Sequence, residues 1–123
     1  MHQESENQIM LFKWAELQKA KYPMLSLMFH IPNGGKRGIK EAVRFKKEGV
    51  KAGVPDIFLA YPNKIYHGLF IEMKAEKGFI KAEQRAWIEN LRAQKYDAVV
   101  CYNFEQAKEE ILRYIRGGKW LKP

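Results

Sequence analysis

Cysteine and long apolar runs are almost absent from this chain of 123 residues. The one cysteine, Cys101, lies in the apolar run AVVCY, where a small core residue is expected rather than a nucleophile or a metal ligand. A single cysteine cannot build a disulfide framework, no apolar stretch is as long as a membrane span, and the polar start MHQESENQ lacks the features of a signal peptide. These absences argue against a disulfide-rich secreted domain and against membrane contact, so the cytoplasm is the expected compartment.

Acidic residues are also scarce relative to basic ones. The chain has 22 Lys and Arg against 14 Asp and Glu, which gives a net charge of +8 and an isoelectric point near 9.6. Such an excess favours a polyanionic partner such as nucleic acid, although it is also compatible with a merely soluble surface. With 46% hydrophobic residues the chain can bury one core, so residues 1–123 are expected to form a single domain.

Cap and turn residues predict alternating helices and strands in the first half of the chain. Ser5 and Gln8 have the spacing of a capping box and predict a helix from about Glu6 to about Lys21, which Pro23 prevents from continuing. MLSLMFHI is then predicted to be a strand, NGGKRG a loop, and IKEAVRFKKEG a short helix that ends at Gly49.

The second half of the chain continues this alternation. DIFLAY and GLFIEMKA are predicted to be neighbouring antiparallel strands, because PNKIYH between them suits a turn. A helix from about Ala82 to about Gln94, a strand DAVVCY, and a last helix capped by Asn103 and Gln106 follow. This order predicts an α/β fold in which a mixed sheet is flanked by helices.

Charged residues occur inside two of the predicted strands. Side chains alternate across a strand, so Glu72 and Lys74 share a face, and hairpin pairing can bring Asp56 near Glu72. Two carboxylates in one small volume repel unless a cation offsets them, and magnesium suits a site with few carboxylates and several retained waters. The peptide carbonyl of Met73 is a further possible oxygen ligand.

The chemistry that such a site suits is phosphodiester hydrolysis. A bound metal polarises a phosphoryl oxygen and lowers the pKa of a coordinated water, while an ammonium group stabilises developing charge. Asp56, Glu72 and Lys74 supply these groups. Each of them also has an ordinary structural interpretation: Asp56 as a turn residue after Pro55, and Glu72 with Lys74 as an exposed cross-strand charge pair.

The pattern Pro55-Asp56 followed by Glu72-Met73-Lys74 resembles the motif of the PD-(D/E)XK nuclease superfamily. The surrounding segments IPNGGKR and GFIKAEQRAWIENLRAQKYDAVV resemble those of its VRR-Nuc branch, and the resemblance covers most of the chain, from about Glu6 to about Tyr102. The resemblance implies a restriction-endonuclease-like core and DNA cleavage that depends on Mg²⁺ or Mn²⁺. It also implies a kinship with stand-alone phage and bacterial proteins.

The same resemblance implies further site residues. An acid of the amino-terminal helix is expected to join the metal site, and ENQIM matches it to Glu6, with Glu4 as the alternative. Gln84 matches a position beside the catalytic lysine, and this role is favoured over that of a polar surface residue on an amphipathic helix. For Glu6 the alternative is an acid placed in the first helical turn by the helix dipole.

The densest basic segment of the chain spans the glycine-rich loop and the short helix. The predicted DNA-binding residues are Asn33, Lys36, Arg37, Lys40, Arg44, Lys46 and Lys47. A run of this kind is often only a solvated face, but the glycine loop and the net positive charge favour phosphate contact.

Two functions therefore remain open: a metal-dependent endonuclease that acts on branched, flap or Holliday junction DNA, and a non-catalytic nucleic-acid-binding module with a nuclease fold. The complete set of Asp56, Glu72 and Lys74 favours the endonuclease. A homodimer is also expected, because cutting two strands needs two active centres and a symmetric pair supplies them. The aromatic residues that suggest such an interface are Phe12, Trp14, Tyr22, Tyr114 and Trp120.

Overall fold

The computed structural model of the protein describes residues 3–32 and 38–117. A mixed sheet lies between helices, as the sequence predicts. The helices are α1 (Gln3–Gln18), α2 (Ile39–Lys47), α3 (Ala82–Ala93) and α4 (Phe104–Ile115), and a 3-10 turn covers Pro23–Leu27. The strands are β1 (Met28–His30), β2 (Ile57–Leu59), β3 (Leu69–Met73) and β4 (Asp97–Cys101).

The strands follow their chain order across the sheet, β1-β2-β3-β4. β1 and β2 are antiparallel, β2 and β3 are antiparallel, and β3 and β4 are parallel. Parallel neighbouring strands need a crossover connection, and α3 provides it between β3 and β4. The predicted antiparallel pairing of DIFLAY with GLFIEMKA and the predicted mixed sheet are both confirmed.

The main core lies on the sheet face that α1 and α4 cover. Leu69, Ile71 and Met73 alternate along β3 and are buried in one cluster with Leu11 of α1 and Ile111 of α4. Cys101 is fully buried in the same cluster, which confirms its prediction as a core residue. The opposite side chains of β3, including Glu72, therefore point to the other face of the sheet, where α3 lies against β4.

Two predicted elements differ from the structure near the amino end. Helix α1 begins at Gln3 rather than near Glu6, so Ser5 lies inside the helix and is not its cap. The physical reason is tertiary contact: the side chains of Gln3 and Glu4 accept hydrogen bonds from the backbone of Glu76 and Ala75, and this docking holds the early residues in the helix. The helix also ends at Gln18, before the predicted Lys21.

The predicted strand MLSLMFHI is only partly a strand. Its first residues form the 3-10 turn that begins at Pro23, and Ser26 Oγ donates to the Pro23 carbonyl at 2.9 Å. Leu25 is buried from within this turn, so the apolar residues reach the core without an extended backbone. The strand that remains, β1, has three residues.

The later boundaries agree with the sequence. Gly49 follows α2 with φ of 105°, a conformation that favours glycine after a helix. Asn103 caps α4 by accepting from the Gln106 backbone at 2.8 Å, while the Gln106 side chain accepts from the backbone of Tyr102 rather than of Asn103. Within residues 3–32 and 38–117, no helix has the length and apolar character needed to cross a bilayer.

Candidate active site

Asp56 and Glu72 meet because of the register between β2 and β3. Ile57 pairs with Ile71, so Asp56, directly before β2, lies beside the end of β3 where Glu72 and Met73 are found. Asp56 Oδ2 accepts a hydrogen bond from the Met73 backbone N–H at 2.9 Å. The N–H and C=O of one strand residue point toward the same neighbouring strand, so the Met73 carbonyl also faces the Asp56 side.

Glu72 and Lys74 are buried rather than exposed. Glu72 retains 3% of its accessible surface and Lys74 retains 8%, which rules out the alternative of an exposed cross-strand pair. The distance between Lys74 Nζ and Glu72 Oε2 is 3.9 Å. Gln84 Nε2 donates to Glu72 Oε2 at 3.3 Å, and Gln84 Oε1 accepts from the Lys81 backbone at 2.9 Å. The structure therefore brings together all four predicted catalytic residues: Asp56, Glu72, Lys74 and Gln84.

The two carboxyl groups strongly affect each other's ionisation. Burial, followed by the charge of Asp56, raises the pKa of Glu72 to about 8, against a smaller opposing effect of Lys74. Burial also raises the pKa of Asp56, partly offset by its hydrogen bond from Met73. The interaction between the two side chains lowers the pKa of Asp56 and raises the pKa of Glu72, so Glu72 is the group that keeps a proton near neutral pH. Near neutral pH, the site therefore gains its second negative charge when a cation replaces that proton.

Helix α1 contributes an acid from Glu4. Glu4 Oε1 accepts from the Ala75 backbone at 3.1 Å, directly after Lys74, and its charge raises the pKa values of both Asp56 and Glu72. Glu6 is exposed and lies about 200° around the helix from Glu4, because each residue of an α-helix turns by about 100°. The geometry therefore favours Glu4, the alternative, over Glu6 as the acid of this helix, and the metal-binding role of Glu6 stays a prediction.

The turn before Asp56 packs tightly against α3. Gly53 has φ of 92°, and a Cβ built on it would lie 2.8 Å from the Glu83 carbonyl oxygen, so a side chain does not fit there. Trp87 Nε1 donates to the Ala52 carbonyl at 3.1 Å. These contacts hold the turn that precedes Asp56 against α3, the helix that contains Gln84.

His30 is a further neighbour of the site and is not among the residues predicted for it. His30 Nδ1 lies 2.8 Å from the Asp56 backbone oxygen, and the His30 charge lowers the pKa of Asp56. The signal that could have identified it is its position at the end of β1, paired with Ile57 next to Asp56.

The predicted DNA-binding residues fall into two groups. Lys40, Arg44, Lys46 and Lys47 lie on α2 and are all exposed. Asn33, Lys36 and Arg37 lie outside the described residues, so their role stays a prediction. The segment between β1 and β2, which includes α2, begins at Ile31 and ends at Asp56. These two residues are neighbours, because the Ile31 N–H donates to the Asp56 carbonyl at 2.6 Å. Both ends of the basic segment therefore attach beside the carboxylates.

The site fits a hard divalent ion with few protein ligands. In the part of the chain that the structure describes, no group of three or more His, Cys, Asp or Glu side chains could hold a metal ion. The available oxygen donors are the Asp56 and Glu72 carboxylates and the Met73 carbonyl, which is the kind of set that magnesium completes with waters. The charge of Asp56 raises the pKa of Glu72, and a cation bound by both carboxyl groups would relieve this repulsion.

Comparisons with known proteins identify the family and agree with the fold. The sequence model of the VRR-NUC domain family matches residues 2–105. A solved structure described as a "VRR_NUC domain protein" superposes with a TM-score of 0.82 and is 33% identical, covering 97% of this chain and 93% of its own. No curated protein matches the sequence.

Proposed function

Because the chain belongs to the VRR-NUC domain family, we propose that this nuclease-fold domain is a metal-dependent deoxyribonuclease that hydrolyses phosphodiester bonds within DNA. The observation that carries the proposal is the buried meeting of Asp56, Glu72 and Lys74. Two carboxyl groups and an ammonium group are costly to bury, and the core of the fold does not require them there. Their retention in one place supports a catalytic use.

Asp56, Glu72 and the Met73 carbonyl would hold the metal, with Glu4 as the nearby acid of α1. When bound, Mg²⁺, or Mn²⁺ in its place, polarises a phosphoryl oxygen and lowers the pKa of a coordinated water. Lys74 stabilises the negative charge that develops on the phosphate. Gln84 acts as a positioning residue, since its amide nitrogen bonds to Glu72 while its oxygen is fixed on the Lys81 backbone.

The experiment that tests the function is cleavage of labelled DNA by the purified chain. Intact duplex, nicked, flap and four-way-junction substrates are incubated with Mg²⁺, Mn²⁺, Ca²⁺ or EDTA. We expect cutting in Mg²⁺ and Mn²⁺, none in EDTA, and faster cutting of one of the branched substrates. A chain that binds DNA in every condition but cuts none of the substrates is instead the non-catalytic binding module.

Helix α2 supports the proposed DNA contact. Lys40 and Arg44 lie four residues apart and therefore on one side of the helix, and both are exposed. The chain that follows this helix leads to Asp56, which directly precedes β2. Basic side chains in this position would bind phosphates and release counterions.

We predict that DNA binding in Ca²⁺ weakens steeply as salt increases. Reversing two charges with Lys40→Glu and Arg44→Glu is expected to flatten the slope of log affinity against log salt by about 2 or more, because each phosphate contact contributes about one. Fluorescence anisotropy with a short duplex measures the slope. The matched control is Lys64→Glu, a reversal at an exposed lysine of the β2–β3 connection. Equal slopes for the double variant and the control would contradict the assignment of α2.

A homodimer is part of the proposal, but its surface differs from the one that the aromatic residues suggest. Tyr114 is fully buried, and Phe12, Trp14 and Tyr22 pack against the core, so these residues are used within one chain; Trp120 lies outside the described residues. The large apolar side chains on α1 that remain exposed are Ile9, Met10 and Leu17. This apolar strip is the surface that we assign to the second copy.

We predict that light scattering at micromolar concentration gives about twice the mass of one chain, which is 14.5 kDa. Met10→Glu with Leu17→Glu is expected to return the mass to that of one chain, because each charge would be buried at the contact. Circular dichroism checks that the double variant stays folded. A mass near one chain for the wild-type protein, both free and on DNA, contradicts the dimer.

A further inference from the structure

Phe79 is an apolar side chain whose exposure the fold does not explain. It retains 87% of its accessible surface, the highest fraction among the large hydrophobic side chains in the described residues. It lies in the loop between β3 and α3, which begins with Lys74 and is followed by Gln84 in the first turn of α3. An exposed phenyl ring in such a loop gains nothing from the core and is available to a ligand.

The loop is held firmly against the site. The backbone N–H groups of Lys77 and Gly78 both donate to the Ala75 carbonyl, at 3.0 and 2.7 Å. Ala75 and Glu76 are in turn bonded to Glu4 and Gln3 of α1. The backbone that presents Phe79 is therefore anchored to both β3 and α1.

Phe79 is also close to Lys74. A Cβ built on Gly78 would lie 3.6 Å from Lys74 Cβ. Standard backbone dimensions then place the Phe79 Cα within about 9 Å of Lys74 Cβ. The two side chains therefore start from neighbouring points of the backbone, so a strand with a phosphate held at Lys74 can bring a base to the ring within a few nucleotides.

The charges around the ring indicate the kind of partner. Lys77 and Lys81 lie two residues to either side of Phe79, and both are exposed. An aromatic ring between cationic side chains is the combination that binds unpaired nucleotides, with the ring stacking on a base and the cations binding phosphates. A second copy of this basic chain would be repelled by the same lysines.

We propose that Phe79 stacks on a nucleobase within a few nucleotides of the cut phosphodiester and thereby selects DNA whose bases are already unstacked there. The inference rests on the proposed nuclease function and concerns the substrate of the same site. Unstacking a base in an intact duplex costs free energy, and this cost is smaller where a nick, a flap or a junction interrupts the helix. Phe79 thus acts as a specificity-determining residue for branched DNA.

The test compares Phe79→Ala and Phe79→Trp with the wild-type chain. Phe79→Ala is expected to lower kcat/KM on nicked and flap DNA by about 5- to 100-fold, and by less than about 3-fold on intact duplex, whereas Phe79→Trp keeps the preference because tryptophan also stacks. The control is Leu27→Ala, which removes a half-exposed apolar side chain. Leu27 is bonded to the backbone of Ala60, which follows one end of β2, whereas Asp56 precedes the other end. Leu27→Ala is expected to keep the wild-type preference.

A second arm needs no cleavage. DNA with the fluorescent base 2-aminopurine at each of the three positions on either side of a nick is bound in Ca²⁺, and its emission should change at one position with the wild-type chain but not with Phe79→Ala. An unchanged substrate preference, an unchanged emission, or a changed mass of Phe79→Ala by light scattering overturns the inference. If the wild-type chain cuts no DNA, the nuclease function fails and the emission arm alone decides the stacking.

Discussion

Alanine at Asp56, Glu72 or Lys74 is expected to reduce magnesium-dependent cleavage by at least about 100-fold each, since loss of a single group that stabilises transition-state charge has effects of about 100- to 1,000-fold. Asp56 and Glu72 would lose a metal ligand, and Lys74 would lose the ammonium that lies 3.9 Å from Glu72. Steady-state cleavage of the best branched substrate in Mg²⁺ measures the loss.

Shape-conserving variants separate catalysis from folding. Asp56→Asn keeps an oxygen that can accept from Met73 N–H, while Asp56→Ala leaves that buried donor unpaired at a cost of about 1–3 kcal/mol. Both are expected to be inactive, but only the alanine variant should melt at a clearly lower temperature. Glu105→Ala, at an exposed acid on α4, is the control and should cut normally. Undiminished cutting by any of the three alanine variants removes that residue from the mechanism.

Gln84 should behave differently from these three residues. It bonds to Glu72 but offers no charge, so Gln84→Ala is expected to lose less activity than Glu72→Ala and to need more Mg²⁺ for half-maximal rate. Gln84→Glu keeps the acceptor for Lys81 but places a third carboxylate beside Glu72. The need for magnesium, rather than the rate alone, is the result that separates a positioning role from a purely structural one.

The sequence predicted those parts of the fold that depend on local patterns. Alternation along β3 placed Glu72 and Lys74 on one face, and the turn signals between DIFLAY and GLFIEMKA predicted the hairpin that brings Asp56 to them. The segment beginning at Pro23 was not predictable in this way, because closely spaced apolar residues suit both a short strand and a tight helical turn.

The parts of the site that the sequence missed depend on tertiary packing. The choice between Glu4 and Glu6 is a question of helix rotation, and the contact of α1 with Ala75 and Glu76 decides it. Glu72 is likewise buried because Gln84 of α3 lies against it, and a contact with a helix cannot be read from the alternation along a strand. The alternation alone was compatible with an exposed charge pair.

The second large expected effect is a fall in the free energy of unfolding at high pH when no metal is bound. The pKa of Glu72 is raised from 4.5 to about 8 in the folded chain, chiefly by burial. In the unfolded chain Glu72 loses its proton near pH 4.5, but in the folded chain it keeps the proton up to about pH 8. Between these values the folded state binds more protons, so its free energy of unfolding falls as the pH rises. The loss is complete above about pH 8.

Glu72→Gln should remove this loss, because the amide has nearly the same shape and does not ionise. In EDTA at pH 9 the variant is expected to be more stable than the wild-type chain by about 1–3 kcal/mol. A shift in pKa corresponds to about 1.4 kcal/mol per unit, and the expected difference is smaller than this full value because Lys74 and residual solvent screen the charge of Glu72. At pH 4 the two proteins should unfold at nearly the same urea concentration. Glu105→Gln is the control and should follow the wild-type chain at both pH values.

Magnesium should reverse the order of stability at high pH. At pH 9 a cation bound by Asp56 and Glu72 offsets the two buried negative charges, so Mg²⁺ is expected to stabilise the wild-type chain more than it stabilises Glu72→Gln. Urea unfolding at pH 9 with EDTA or with millimolar Mg²⁺ gives the difference for each protein. Equal stabilisation of both by Mg²⁺ would place the ion elsewhere, and a Glu72→Gln variant less stable than wild type in EDTA would mean that the ionised carboxylate stabilises the fold. If both results follow the expected direction, the carboxyl pair is a metal-binding site that lowers the free energy of unfolding as long as no metal is bound.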